Sequence, residues 1–192
     1  MKTADAFLKG YKPAFLEILG LKQTTKHLNF LLANYPHVSH RDYDLLSGNR
    51  FYLFFQTDFM RHRFEEELKQ STFSLADTDR ILGMTLGFPP RAVGFYVQMM
   101  REKRKGNTQA YQQMKSRKIG MIYSGCSFAS DIADFKENAL WLLKRYPYEE
   151  AKEDGMYIRI GLEPRIPVPV DDYQGLTEFH EYIMKKSGFV TV

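Results

Sequence analysis

The strongest constraint on the fold is a stripe of apolar side chains, Phe128, Ile132, Phe135, Ala139, Leu142, Leu143 and Tyr146, at spacings of three and four residues and followed by Pro147. Such spacing places side chains along one face of a 3.6-residue helix, and a proline just past the end prevents its continuation. Residues 128–146 are therefore predicted to form one amphipathic helix. Its apolar face would be left in water unless another layer covered it.

The covering layer has to come from short strands. Residues 50–57 are aromatic-rich and carry Phe51, Leu53, Phe54 and Phe55, which favours a strand buried on both faces. Ile119, Met121, Ile122 and Tyr123 read as a second strand ending at Ser124-Gly125, residues 156–161 as a third and residues 189–192 as a fourth. The stretch 164–169 contains three prolines, so it is extended and suits an edge or a loop.

Helices fill most of the remainder. Pro13 suits the first turn of a short helix ending near Gly20, and Leu28, Leu31, Leu32 and Tyr35 mark another that Pro36 terminates. Met60, Phe64 and Leu68 recur every four residues, Ser74 and Asp77 resemble an N-cap with its first-turn carboxylate, and Pro90 can open the helix that follows Gly87. A polar helical segment reaches Lys115, and residues 175–186 form a last helix. The expected class is α+β, predominantly helical, with a small mixed sheet of three to four strands. At 192 residues and 44% apolar composition, the chain can bury a core of its own, and one globular domain spanning 1–192 is the default expectation.

Several broad classes are disfavoured. The longest apolar run of note, residues 51–55, is far short of the ~20 residues a membrane-spanning helix needs, and charges interrupt the first twenty positions. No membrane association is expected. Cys126 is the only cysteine, which excludes an intramolecular disulfide and fits a reducing, cytoplasmic location. His37 and His40, His62, and the pair His180-Glu181 match no metal-ligand spacing, so no metal and no cofactor are expected. Gly-rich phosphate loops, Gly-x-Ser-x-Gly elbows and kinase signatures are also missing from the sequence.

Two candidate sites stand out. Residues 124–127 (Ser124, Gly125, Cys126 and Ser127) link a predicted strand to a predicted helix, where backbone N–H groups can hold an anion and a thiol pKa can fall. Arg61 and His62 follow the first predicted strand and would face that turn if the two strands were parallel neighbours. The second candidate is electrostatic. Residues 91–118 hold eight Lys and Arg against Glu102 alone, a local charge of +7 in a chain whose net charge is +4. Arg101, Lys103, Arg104, Lys105, Lys115, Arg117 and Lys118 are the candidate nucleic-acid contacts within it. The turn at residues 86–93 resembles the middle of a helix-turn-helix, but the following helix is rich in Ala92, Val93, Phe95, Val97 and Met99 and offers few polar groups to base edges.

With no catalytic constellation, the leading expectation is a non-enzymatic binding or regulatory protein whose partner is a protein or a small anionic ligand. The alternatives are nucleic-acid binding through 91–118 and a small enzyme using the 124–127 turn.

Overall fold

A computed structural model describes residues 1–20, 26–72, 74–170 and 173–188. The class is α+β, as expected, with helices outweighing strands. Among the described residues the strands form two sheets, of three and four strands, and every pair in both is antiparallel. The chain divides into two compact units, Lys2–Gly87 and Phe88–Val192, the latter with Met1.

The N-terminal unit contains α1 (Thr3–Leu8), β1 (Ala14–Ile18), α2 (Leu28–Asn34), β2 (His37–Ser39), β3 (Phe51–Phe55), α3 (Asp58–Gln70) and α4 (Leu75–Thr85). The aromatic run 51–55 is the central strand, flanked by β1 and β2, and four of its five side chains are buried. The segment after Pro13 is not the expected helix. Ala14 to Ile18 pair residue by residue with β3, from Ala14 opposite Phe55 to Ile18 opposite Phe51. Five residues are too few to make a stable helix alone, so pairing with a ready-made central strand decides the outcome. Phe7, Phe15, Leu31 and Phe54 form a small core here. Thr57 caps α3 by accepting from the Met60 N–H at 3.3 Å, and Ser74 caps α4 by accepting from the Asp77 N–H at 3.1 Å.

The C-terminal unit contains α5 (Pro90–Arg104), α6 (Thr108–Ser116), β4 (Lys118–Tyr123), β5 (Cys126–Asp131), a 3-10 turn (Ile132–Asp134), α7 (Phe135–Arg145), α8 (Glu149–Asp154), β6 (Met156–Ile160), β7 (Ile166–Val168) and α9 (Tyr173–Lys186). The sheet order is β5-β4-β6-β7. The proline-rich edge is as expected, with Pro167 opposite Tyr157 in β7. The strand expected at 189–192 lies outside the described residues.

The stripe from 128 to 146 is not one helix. Phe128 lies in β5, Ile132 in the 3-10 turn, and only Phe135 onward is α-helical. The apolar residues nevertheless converge. One face of the sheet carries Ile119, Met121, Tyr123, Cys126, Met156, Ile158 and Val168, and it packs in a single core with Ile132, Phe135, Ala139, Leu142 and Tyr146, and with Leu176 and Ile183 of α9. The spacing identified residues that share one core, with Ile132, Phe135, Ala139, Leu142 and Tyr146 buried and Phe128 and Leu143 partly so, but it misidentified the elements that carry Phe128 and Ile132.

Candidate functional site

The 124–127 turn lacks the geometry that made it a ligand candidate. Tyr123 pairs directly with Cys126, so Ser124 and Gly125 are the two residues of a tight β-hairpin turn. Their φ angles are 49° and 70°, both left-handed, as a two-residue turn of the I′ kind requires. No helix begins at Ser127, which sits in β5, so there is no N-terminal dipole to hold an anion. The helical segment that does follow is capped internally, the Asp131 carboxylate accepting from the Ala133 N–H at 3.0 Å.

Nor is Cys126 placed for nucleophilic work. It is fully buried, whereas a reactive thiol needs access and a positive setting. Its neighbour Tyr146 is also buried, and burial together with the adjacent Cys126 thiol raises the phenol pKa far above its usual value. Burial likewise raises that of Tyr123, whose hydroxyl donates to the Tyr146 carbonyl at 3.2 Å. Ser124 is 3% exposed, and its hydroxyl finds no hydrogen-bond partner. This is a core corner.

Arg61 and His62 reside on α3, in the other unit. The parallel pairing that would have brought them to the turn does not exist, because β3 pairs with β1 and β2 and β4 with β5 and β6. Arg61 is engaged on its own helix, at 3.0 Å from Glu65 and 3.2 Å from Asp58, and His62 lies 3.4 Å from Glu65. Three other histidines donate to backbone carbonyls: His37 to Tyr35, His40 to Phe51 and His180 to Ile132. Among the described residues no group of three or more His, Cys, Asp or Glu could hold a metal ion.

The basic segment is assembled differently. Helices α5 and α6 form a helical hairpin closed by Gly106, with φ of 72°, and by Asn107, whose side chain accepts from the Ala110 N–H at 3.3 Å. Ala92, Val93, Phe95 and Met99 are buried on α5, so this helix cannot lay its apolar length in a DNA groove. Beyond Met99 the character changes. Arg101, Lys103, Arg104 and Lys105 are exposed at the end of α5, where the helix dipole favours cations. Lys115, Arg117 and Lys118 are exposed at the far end of α6.

The lone acid of the segment is occupied internally. Glu102 accepts from Gln98 at 3.2 Å and from Asn107 at 2.8 Å, and lies 3.9 Å from Lys105. Two cations are tied to the sheet side of the unit, Arg91 to Asp134 at 2.7 Å and Arg117 to Asp131 at 2.5 Å. Lys103 lies over the Tyr111 ring with its ammonium 5.8 Å from the centroid. Nine residues of α6 separate the two cationic ends by about 13 Å at 1.5 Å per residue, which matches the rise of about four nucleotides along one duplex strand.

No protein-family model, curated protein or solved structure matches this chain. Among the described residues no helix is long and apolar enough to cross a membrane.

Proposed function

We propose that this protein is a non-catalytic nucleic-acid-binding protein whose contact surface is the α5–α6 hairpin and the start of β4. The observation that carries the reading is the exposure of Arg101, Lys103, Arg104, Lys105, Lys115, Arg117 and Lys118 on one short hairpin whose single carboxylate is hydrogen-bonded inward. Clustered cations contact phosphate, and release of counterions from the polyanion drives association. Such contacts set position and affinity without reading sequence, which agrees with a helix whose apolar half is buried. The 124–127 turn offers a small anionic ligand no helix N-terminus, because it is a β-hairpin turn that leads into β5.

The test is binding of the full chain to a duplex and to a single strand of about 20 nucleotides at low salt, beside a variant carrying Arg101→Gln, Lys103→Gln, Arg104→Gln and Lys115→Gln. Gln preserves helix propensity, so folding is retained. Affinity should fall at least tenfold in the variant with little change in melting temperature, since exposed substitutions typically shift stability by no more than about 0.5 kcal/mol. Absence of binding by the native chain would reject the reading.

A protein partner is the second reading. Phe59 is 73% exposed and Met60 is also exposed at the start of α3, beside Arg63. Phe59→Ser would separate the two readings, because it should leave nucleic-acid binding unchanged and weaken only a protein contact.

A further inference from the structure

The four-stranded sheet has a second face that does not enter the core. Strand alternation places Lys118, Gly120 and Ile122 of β4, Ser127 and Ala129 of β5, Tyr157 and Arg159 of β6, and Pro167 of β7 opposite the buried set. Lys118, Ser127, Arg159 and Pro167 are exposed, and Gly120, Ile122, Ala129 and Tyr157 are half-buried. A Cβ added at Gly120 would meet within 4 Å only Arg159, at 3.7 Å from its Cβ and 3.9 Å from its carbonyl oxygen.

We infer that this open face is the seat of a single-stranded nucleic acid, with a base stacked on Tyr157 and its phosphates held by Arg159 and Lys118. The inference rests on the nucleic-acid reading above and adds to it the strandedness of the partner and the surface that reads it. Four features of the face converge. Its charged groups facing solvent are cations, since Asp131, opposite Lys118, is buried and bonded to Arg117. It is continuous with the basic hairpin, because α6 leads through Arg117 into Lys118, the first residue of β4.

The register then places the aromatic beside a smooth centre. Tyr157 lies opposite Ile122 and Arg159 opposite Gly120, with Ala129 on the other side of Gly120. The Tyr157 ring lies against Gly155, where an added Cβ would come within 3.6 Å of its hydroxyl. A glycine and an alanine leave a flat strip about two strands wide, next to a ring and two cations, which is the combination that sequence-tolerant single-strand binding uses. A duplex has its bases stacked inward and gains nothing from the ring, so its binding depends on the hairpin cations and Lys118.

Gly120 is an informative position. Its φ is not left-handed, and the space above it is ordinary van der Waals contact, so Gly120→Val is compatible with the strand and should not lower stability. The branched side chain would nevertheless stand up from the strip and block a stacked base. Five full-length proteins, native, Tyr157→Ala, Tyr157→Phe, Gly120→Val and the four-fold Gln hairpin variant, are titrated with a 12-nucleotide oligo(dT), an oligo(U) of equal length and a 20-base-pair duplex. Their melting temperatures are measured in parallel. Tyr157→Ala should weaken both single strands by between about fivefold and a hundredfold, the range for loss of one base–aromatic stack. Tyr157→Phe should restore binding, Gly120→Val should lower it with the fold intact, and none of the three should alter duplex affinity more than twofold. If Tyr157→Ala and Gly120→Val bind the single strands as the native protein does while the hairpin variant has lost binding, the sheet-face inference is wrong and the hairpin reading stands. If the native protein binds none of the three probes, both fall.

Discussion

The Arg117 guanidinium holds the Asp131 carboxylate at 2.5 Å, joining the residue that follows α6 to the last residue of β5. The same carboxylate caps the 3-10 turn through Ala133, and the Ile132 N–H donates to the Arg117 carbonyl at 2.9 Å. The basic hairpin is thereby held to the edge of the sheet. Asp131 is buried and Arg117 is about half exposed, so removing the acid loses a cap and a charge-assisted hydrogen bond together. Asp131→Ala should cost about 2 to 3 kcal/mol in urea unfolding, whereas Arg117→Gln should cost less than about 1.5 kcal/mol because the cap survives. Equal costs would show that the ion pair, and not the cap, carries the effect.

A pH response follows from the buried tyrosine corner. Burial raises the Tyr146 and Tyr123 pKa values above the ordinary 10.0, so above that value the unfolded chain loses these protons and the folded chain keeps them. Stability contributed by the two phenols is complete below pH 10 and declines as pH rises above it, towards the folded-state values. Tyr146→Phe should reduce the slope of stability against pH in that alkaline range while costing no more than about 1.5 kcal/mol at pH 7, the net worth of a typical hydrogen bond. Cys126 shares this corner and should label with iodoacetamide only in denaturant.

The turn between β4 and β5 is strained at a position where another residue would fit better. Ser124 takes φ of 49° with a buried hydroxyl that has no partner. Ser124→Gly should raise stability by about 1 kcal/mol, because glycine adopts that conformation without steric cost and removes the orphan group. Gly125→Val should do the opposite, lowering the melting temperature by strain at φ of 70°. A ligand role for this turn would require these variants to act on binding before they act on folding.

This corner also shows where sequence reading succeeded and failed. Phe128, Ile132 and Phe135 have helical spacing, but alternation over Cys126 to Asp131 fits a strand equally well, and six residues cannot separate the two periods. The overlooked signal was Ser124-Gly125 between two short alternating runs, a turn dipeptide that folds the second strand back on the first. Pro13 misled in a similar way, since a proline compatible with a helix start also fits the residue before a strand that β3 recruits. Where a cap accompanied the periodicity, as at Ser74 and Pro90, element and boundary were both legible. The basic residues of 91–118 were legible as a charge excess. Tyr157, Arg159 and Gly120 were not, because their common face depends on which strands pair, and pairing is a long-range property.

The most direct measurement of the central claim is the salt dependence of duplex affinity for the native chain and for the four-fold Gln variant at Arg101, Lys103, Arg104 and Lys115. Five of the exposed cations, Arg101, Lys103, Arg104, Lys115 and Lys118, contact phosphate in this account, which gives a slope of log affinity against log salt of about −4.5 at roughly 0.9 per contact. The variant keeps one of the five, so its slope should shrink towards about −1. Native and variant slopes that coincide, or a native protein that does not bind at low salt, would contradict nucleic-acid binding through this hairpin.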